Sequence, residues 1–341
     1  MPVVGPAAVR LTFRVSHAHP HAPAGHHHGV SADADRRWLA GALALIVGFM
    51  AAEVLAGLVA HSLALLSDAA HMLTDAGAIL LALVAMRLAA RPARGGYTFG
   101  LKRAEILSAQ ANGTTLLVLA GWLTWEAVRR LVSPPVVAGG LVLVTALVGV
   151  AVNLVATWLL SRANRTSLNV QGAYAHILTD LFGFIATAVA GAVVLATGFA
   201  RADAIATLVV VVLMVRAGLG LVRASGRIFL EAAPAGVDPD AIGDRLAGRP
   251  AVVEVHDLHI WLITSAQPAL SAHVLVEPGG DCHAVRRDLE EVLREGYAIT
   301  HTTLQVDHVP EQILTVGRPG TDPEHCADAH GPVHGRDAHP H

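Results

Sequence analysis

Two five-residue stretches, HMLTD at 71–75 and HILTD at 176–180, place a histidine and an aspartate four positions apart within runs of Ala, Leu, Val and Ile. Residues four apart stack on one face of an α-helix, so His71 points with Asp75 and His176 with Asp180. Each pair offers one imidazole nitrogen and one carboxylate. Two such pairs meeting across a bundle would give an N₂O₂ set, the ligand number and type that tetrahedral Zn²⁺ takes at about 2.0–2.2 Å. The plainer alternative is that each histidine bonds its own aspartate and ties helices together, as polar side chains in membranes do. An aspartate at membrane depth costs on the order of 2.5–3.5 kcal/mol on insertion scales, and a shared cation or set of protons offsets that cost in both helices. Metal binding needs neutral imidazoles and ionised carboxylates, so loading expels protons. An imidazole near its reference pKa of ~6.5 reverses the exchange on a more acidic side. A site that holds either metal or protons is the minimum device for antiport.

The elements that must position these residues are legible as hydropathy. The chain has 341 residues, 53% hydrophobic and 15% charged, with mean hydropathy +0.52. That composition predicts a polytopic α-helical membrane protein. Six apolar runs reach the ~20 residues that span a bilayer, at 38–60, 64–88, 105–128, 136–160, 169–197 and 203–223. RPARGGYTFGLKR, VSPP, SRANRTS and TGFARAD break them. With the N-terminus inside, the inner flanks hold Arg36, Arg37, Arg87, Arg91, Arg94, Lys102, Arg103, Arg162, Arg165, Arg223 and Arg227; the outer flanks hold Arg129, Arg130 and Arg201. The positive-inside rule then predicts both termini in the cytoplasm of an integral protein of the cell inner membrane. A net charge of −3 implies no nucleic-acid partner, and Cys282 and Cys326 fit no disulfide framework.

The spans 1–35 and 311–341 are rich in Pro, Gly, Ala and His, and are expected to be disordered tails, the first one retained, whose histidines bind metal weakly. Between them, 36–227 reads as the membrane domain and 228–310 as a soluble one. In the latter, DPDAIGDRLAG and DCHAVRRDLEEVLREG predict helices, while AVVEVHDLHIWLI, ALSAHVLVEP and ITHTTLQVDHV predict strands. The order α-β-β-α-β is a small α+β domain. His256 and His273 fall on the two strands of a hairpin, and strict alternation puts His259 on the opposite face from His256. Cys282 and His283 open a helix as ordinary residues. Glu53 and Asn153 are expected to bond between helices, and Asp68 lies outside the paired site.

HSLALLSDAAHMLTDAGA, YTFGLKRAE, HILTD, VHDLHIW, LSAHVLV and HTTLQVD together resemble the cation diffusion facilitator family on its zinc-transporter branch, over residues 38–309. The resemblance implies six transmembrane helices, a C-terminal cytoplasmic ferredoxin-like domain, and a homodimer in membrane lipid that exports Zn²⁺ in exchange for protons. The family's transport site matches His71, Asp75, His176 and Asp180. Its cytoplasmic ligands fall at positions such as His256 and His273, with His301 and Asp307 as further candidates for a regulatory Zn²⁺. Metal bound between protomers there would tighten the dimer and bias the bundle. The loop GGYTFGLKRAE lacks the His and Asp of an additional site in some members, and SRANRTSLNVQG lacks the His-rich insert of many animal relatives. An intramembrane metalloenzyme would need an open coordination position, and no HExxH occurs, so an enzyme is not expected. A proton-coupled carrier of a non-metal solute is the other alternative, and it leaves the histidine-rich tails without a role.

Overall fold

The computed structural model describes residues 32–59, 63–133, 139–163, 167–309 and 331–335; side chains at 32–35, 56, 57, 59, 63–71, 139, 141 and 142 are outside that description. Among the described residues, six helices are long and apolar enough to cross a membrane. They are α1 (Ala32–Val59), α2 (Leu63–Ala89), α3 (Ala104–Val132), α4 (Gly139–Ser161), α5 (Leu168–Thr197) and α6 (Ala202–Phe229). Each is apolar nearly all round, as helices facing both lipid and protein must be. Most of what is predicted as break is loop, and Gly198 ends α5 in the left-handed region at φ 72°.

Small residues set how closely the helices approach. At Gly113 of α3, a Cβ would lie 2.9 Å from Leu221 Cβ and 3.1 Å from the Gly218 carbonyl on α6; at Gly218 it would lie 2.9 Å from the Gly113 carbonyl. The two backbones therefore touch, the geometry that small-residue pairs give membrane helices. Across α4 and α5, the Phe184 ring fills the space that a Cβ on Gly149 would need. One apolar core joins α1, α2, α4 and α5 through Ile46, Met72, Ile79, Leu160 and Ile177, and another joins α3 to α6 through Leu116, Val211 and Met214. At the end of the bundle away from the C-terminal domain, Arg130 donates to Glu126 at 2.9 Å and to Asp203 at 3.1 Å, tying α3 to α6.

The C-terminal domain contains α7 (Pro239–Ala247), β1 (Val252–Thr264), β2 (Gln267–Val276), α8 (Cys282–Tyr297), β3 (His301–His308) and β4 (His334–Gly335). Asp238 caps α7 by accepting from the amides of Asp240 and Ala241, with Pro239 in the first turn; Asp281 caps α8 through the amides of His283 and Ala284. The sheet order is β3-β2-β1-β4, with β1 antiparallel to β2 and β4, and β2 parallel to β3 through α8. Ile242, Leu246, Leu289 and Leu293 of the helices pack on Val255, Leu258, Ile260, Leu270, Ala272 and Val274, so both helices cover one face. This is the expected α+β arrangement with one strand more.

That extra strand comes from within 311–341, the segment expected to be disordered. His334 and Gly335 pair with Val255 and Glu254, and the buried His334 ring bonds Asp244 at 2.8 Å through Nδ1 in the space left by the missing side chain of Gly243. β1 would otherwise present an open edge there.

Among the described residues, α6 packs on β1, and polar and ring contacts also join the domain to the membrane region. Lys102 Nζ donates to Gln267 Oε1 at 2.9 Å, Arg103 to Glu231 at 3.1 Å, and the Leu168 amide to Ser265 Oγ at 3.3 Å. The His301 ring stands edge-on to Phe99, centroids 6.1 Å apart.

Candidate metal centre

The two HxLTD motifs lie on α2 and α5, which touch in the bundle. Across that contact His176 Nε2 lies 2.7 Å from Asp75 Oδ1, with His176 only 2% exposed. Asp180, one turn on from His176, completes a cluster in which one ligand atom from each of Asp75, His176 and Asp180 lies within 4.8 Å of the others. The bond of His176 to Asp75 thus crosses from one helix to the other. The side chain of His71, one turn before Asp75, falls outside the described residues, as does that of Asp68. Among the described residues His176 Nδ1 has no hydrogen-bond partner, a costly state for a buried ring nitrogen. Two carboxylates and an imidazole this close, under apolar packing from Met72, Ala76, Ala173 and Ile177, form a donor set suited to a divalent cation.

Other polar residues in the helices seat this cluster. Asn169 is fully buried on α5 and donates through Nδ2 to the Ala82 carbonyl of α2 at 2.9 Å, fixing the two helices about two turns from the cluster. In the sequence this Asn stands at the edge of an apolar run and looks like a loop residue, so nothing local marks it. Among the described residues Asn153 bonds within its own helix and not between helices as expected: its Nδ2 donates to Gly149 O at 3.0 Å. Glu53 is buried on α1.

In the C-terminal domain the hairpin register pairs His256 directly with His273, and their rings meet edge to face with centroids 5.4 Å apart. Asp257 joins them: one ligand atom each from His256, Asp257 and His273 lies within 4.8 Å of the other two. Asp257 Oδ2 is 3.7 Å from His273 Nδ1, and Glu254 Oε1 lies 2.9 Å from His256 Nδ1 without hydrogen-bond alignment. The register slips between His256 and His259, with Asp257 at φ 49°. This β-bulge brings Asp257 beside the pair and corrects the alternation argument: His259 pairs with Ser271 and shares a face with His256.

His301 and Asp307 do not enter this cluster. They pair with Ala269 and Leu275, on the same sheet face but four and two positions along β2 from His273. His301 instead meets Phe99 at the junction, and Asp307 accepts from Gln305 at 2.9 Å. Cys282 begins α8 with its sulfur 3.5 Å from His308 Nε2, a pairing the sequence did not suggest.

Comparison with known proteins agrees with this architecture. Residues 39–230 match the family model for the cation efflux transmembrane domain, and residues 234–309 that for the cytoplasmic domain of cation efflux proteins. The metal cation efflux system protein CzcD of Cupriavidus metallidurans is 39% identical over 290 residues, 84% of this chain and 91% of that protein. The zinc transporter ZitB of Escherichia coli is 35% identical over 295 residues, covering 86% and 93%. A Bacillus subtilis protein named cadmium, cobalt and zinc/H(+)-K(+) antiporter is 35% identical over 288 residues, covering 83% and 92%. The chain belongs to the cation efflux family, the cation diffusion facilitators, on its zinc-transporter branch, and is a membrane transporter that expels divalent metal cations.

Proposed function

We propose that the protein exports Zn²⁺, with Cd²⁺ and Co²⁺ as competing cargo, in exchange for protons, through a site made by His71, Asp75, His176 and Asp180. The observation that carries this reading is the buried contact of Asp75 with His176 and Asp180 across α2 and α5. Two carboxylates so close repel strongly in a low-dielectric bundle unless a cation sits among them. A proton on His176 meets that need, and so does a divalent metal; the two compete for the same lone pairs. Opened inward, the site takes metal and releases protons. Opened outward to a more acidic side, it takes protons and releases metal. Asp75 and Asp180 hold the charge, His176 carries the exchangeable proton at a ring nitrogen, and the apolar packing keeps stray water and ions out.

Both termini and the C-terminal domain face the cytoplasm of the inner membrane in this reading, which rests on the arginines at one end of the bundle. Two chains associate as a homodimer. His256, Asp257 and His273 bind a regulatory Zn²⁺, with three protein donors and a fourth position for water or a partner chain; Asp307, diagonal to His273 on the same face, is the next donor within reach. His301 belongs to the junction and not to this set.

The test is Zn²⁺ flux into proteoliposomes under an imposed pH gradient, for the wild type and Asp180→Ala. Gradient-driven flux that the substitution abolishes supports the proposal. Equal flux in both chains removes the paired motifs as the transport site, and no Zn²⁺ flux in either turns attention to another cargo, including a non-metal solute. Exchanging His256 and His273 for Ala should shift the dependence of flux on cytoplasmic metal, and an unchanged dependence defeats the regulatory assignment.

A further inference from the structure

We infer that the tip of the β1–β2 hairpin is a positioning element for transport, with Ser265 serving as the missing N-terminal cap of α5; this rests on α5 carrying the transport site. The first amides of a helix have no partner within it, and a Ser at the cap position normally supplies one. Ser167 holds that position before α5 with extended backbone, φ −77° and ψ 126°, yet makes no capping bond. Its hydroxyl instead donates to Glu105 Oε2 of α3 at 3.2 Å. The amide of Leu168 donates across to Ser265 Oγ. A residue of the C-terminal domain thus serves the helix that bears His176 and Asp180. Gln267, two positions on, accepts from Lys102 just before α3.

The contact stands in series with both metal clusters. On one side, the next α5 residue is Asn169, whose buried bond to Ala82 sets α5 against α2, the helix of Asp75. A frayed first turn of α5 would loosen that bond and with it the spacing of the two carboxylates. On the other side, the tip ends the same two strands that pair His256 with His273, and pairing resumes after the bulge at Asp257, from His259–Ser271 to Leu262–Pro268, and reaches Thr264–Gln267 across a second register shift. In this inference a change at the histidines is delivered along these paired strands to Ser265 and Gln267. The tip holds α5 in one seating, and transport requires that seat to be made and released in each cycle.

The experiment uses the full chain with Ser265→Ala, Ser265→Thr and Gln267→Ala. Zn²⁺ flux in proteoliposomes gives turnover and half-saturation, equilibrium Zn²⁺ binding gives affinity, thermal unfolding gives stability, and amide exchange reports on residues 168–171. Ser265→Ala should lower turnover about fivefold, the factor one helix cap is worth. Unfolding should shift by no more than one helix cap is worth and Zn²⁺ affinity should change less than turnover, exchange at 168–171 should rise, and Ser265→Thr should restore turnover and exchange. Gln267→Ala should act in the same direction. Unchanged turnover, with or without faster exchange, overturns the inference, as does a loss of flux that merely follows lost affinity or stability. Absence of Zn²⁺ flux in the wild type would instead defeat the functional reading, while the exchange comparison would still report whether Ser265 caps α5.

Discussion

Replacing Asp180 by Asn removes one of the two carboxylates that face each other across α2 and α5 while keeping the side chain's shape. Ligand atoms of Asp75 and Asp180 lie within 4.8 Å of each other. At an effective dielectric of about 20, two unit negative charges at that separation repel by roughly 3.5 kcal/mol, and more if closer. A bound cation relieves this repulsion, so it forms part of the drive for metal binding. Without it, Zn²⁺ affinity should fall by about 3 kcal/mol or more, on the order of a hundredfold in Kd. The metal-free variant should melt close to its parent, because the bond of Asp75 to His176 remains. The assay is thermal unfolding in lipid nanodiscs with and without Zn²⁺, in a chain whose His256 and His273 are Ala so that only the membrane site responds. Zn²⁺ at a hundred times its Kd should stabilise the parent by about 2.7 kcal/mol, and the same concentration should leave Asp180→Asn nearly where it was. A variant whose Kd stays within tenfold of the parent refutes the assignment of Asp180 as a ligand. A metal-free variant that unfolds far below the parent shows Asp180 to be a structural partner instead.

Three further outcomes follow from packing and charge. Gly113→Ala should destabilise the bundle by about 1–3 kcal/mol in thermal unfolding, since its Cβ would meet Leu221 and Gly218, whereas Gly220→Ala, with nothing within 4 Å of its Cβ, should be neutral or slightly stabilising. Gly243→Ala should expel the His334 ring and free β4, read as faster amide exchange at Val255 and easier proteolytic cutting between 331 and 335. The bidentate bond from Arg249, Nε to Oδ2 at 2.7 Å, holds the Asp288 carboxyl below its ordinary 3.8. A carboxylate with a depressed folded pKa stabilises fully above its unfolded value and loses that contribution as pH falls through the folded one. Side chains 39% and 37% exposed are screened, so Asp288→Asn should lower stability by about 0.5–1 kcal/mol at pH 7 and change nothing near pH 2.

Local patterns carried much of this architecture in the sequence. Six apolar runs were long enough to read as spans, and a period of four placed each His with its Asp. The switch to β-branched runs after Arg227 marked the second domain. What escaped the reading depended on contacts distant in sequence or on backbone departures from regularity. The bulge at Asp257 brings His259 onto the face of His256 and recruits Asp257 to the histidine pair, and nothing in VHDLHIW announces a positive φ at an aspartate. His334 orders on β1 because Gly243, next to its partner Asp244, leaves room far earlier in the chain, a fit between two segments that look unremarkable apart. Asn169 and Ser265 read as loop chemistry until the fold brings each against a helix.

The Leu168–Ser265 bond spans 97 positions of chain, and that separation orders events during synthesis. At about 5–20 residues per second, the ribosome needs roughly 5–20 s after the start of α5 to make the hydroxyl that completes it. Insertion of the fifth helix and its final seating are therefore distinct in time, and a domain made after the helices acts as a built-in assembly factor for one already in the bilayer. A chain cut short after α6 would hold all six spans and still lack the group that finishes the fifth.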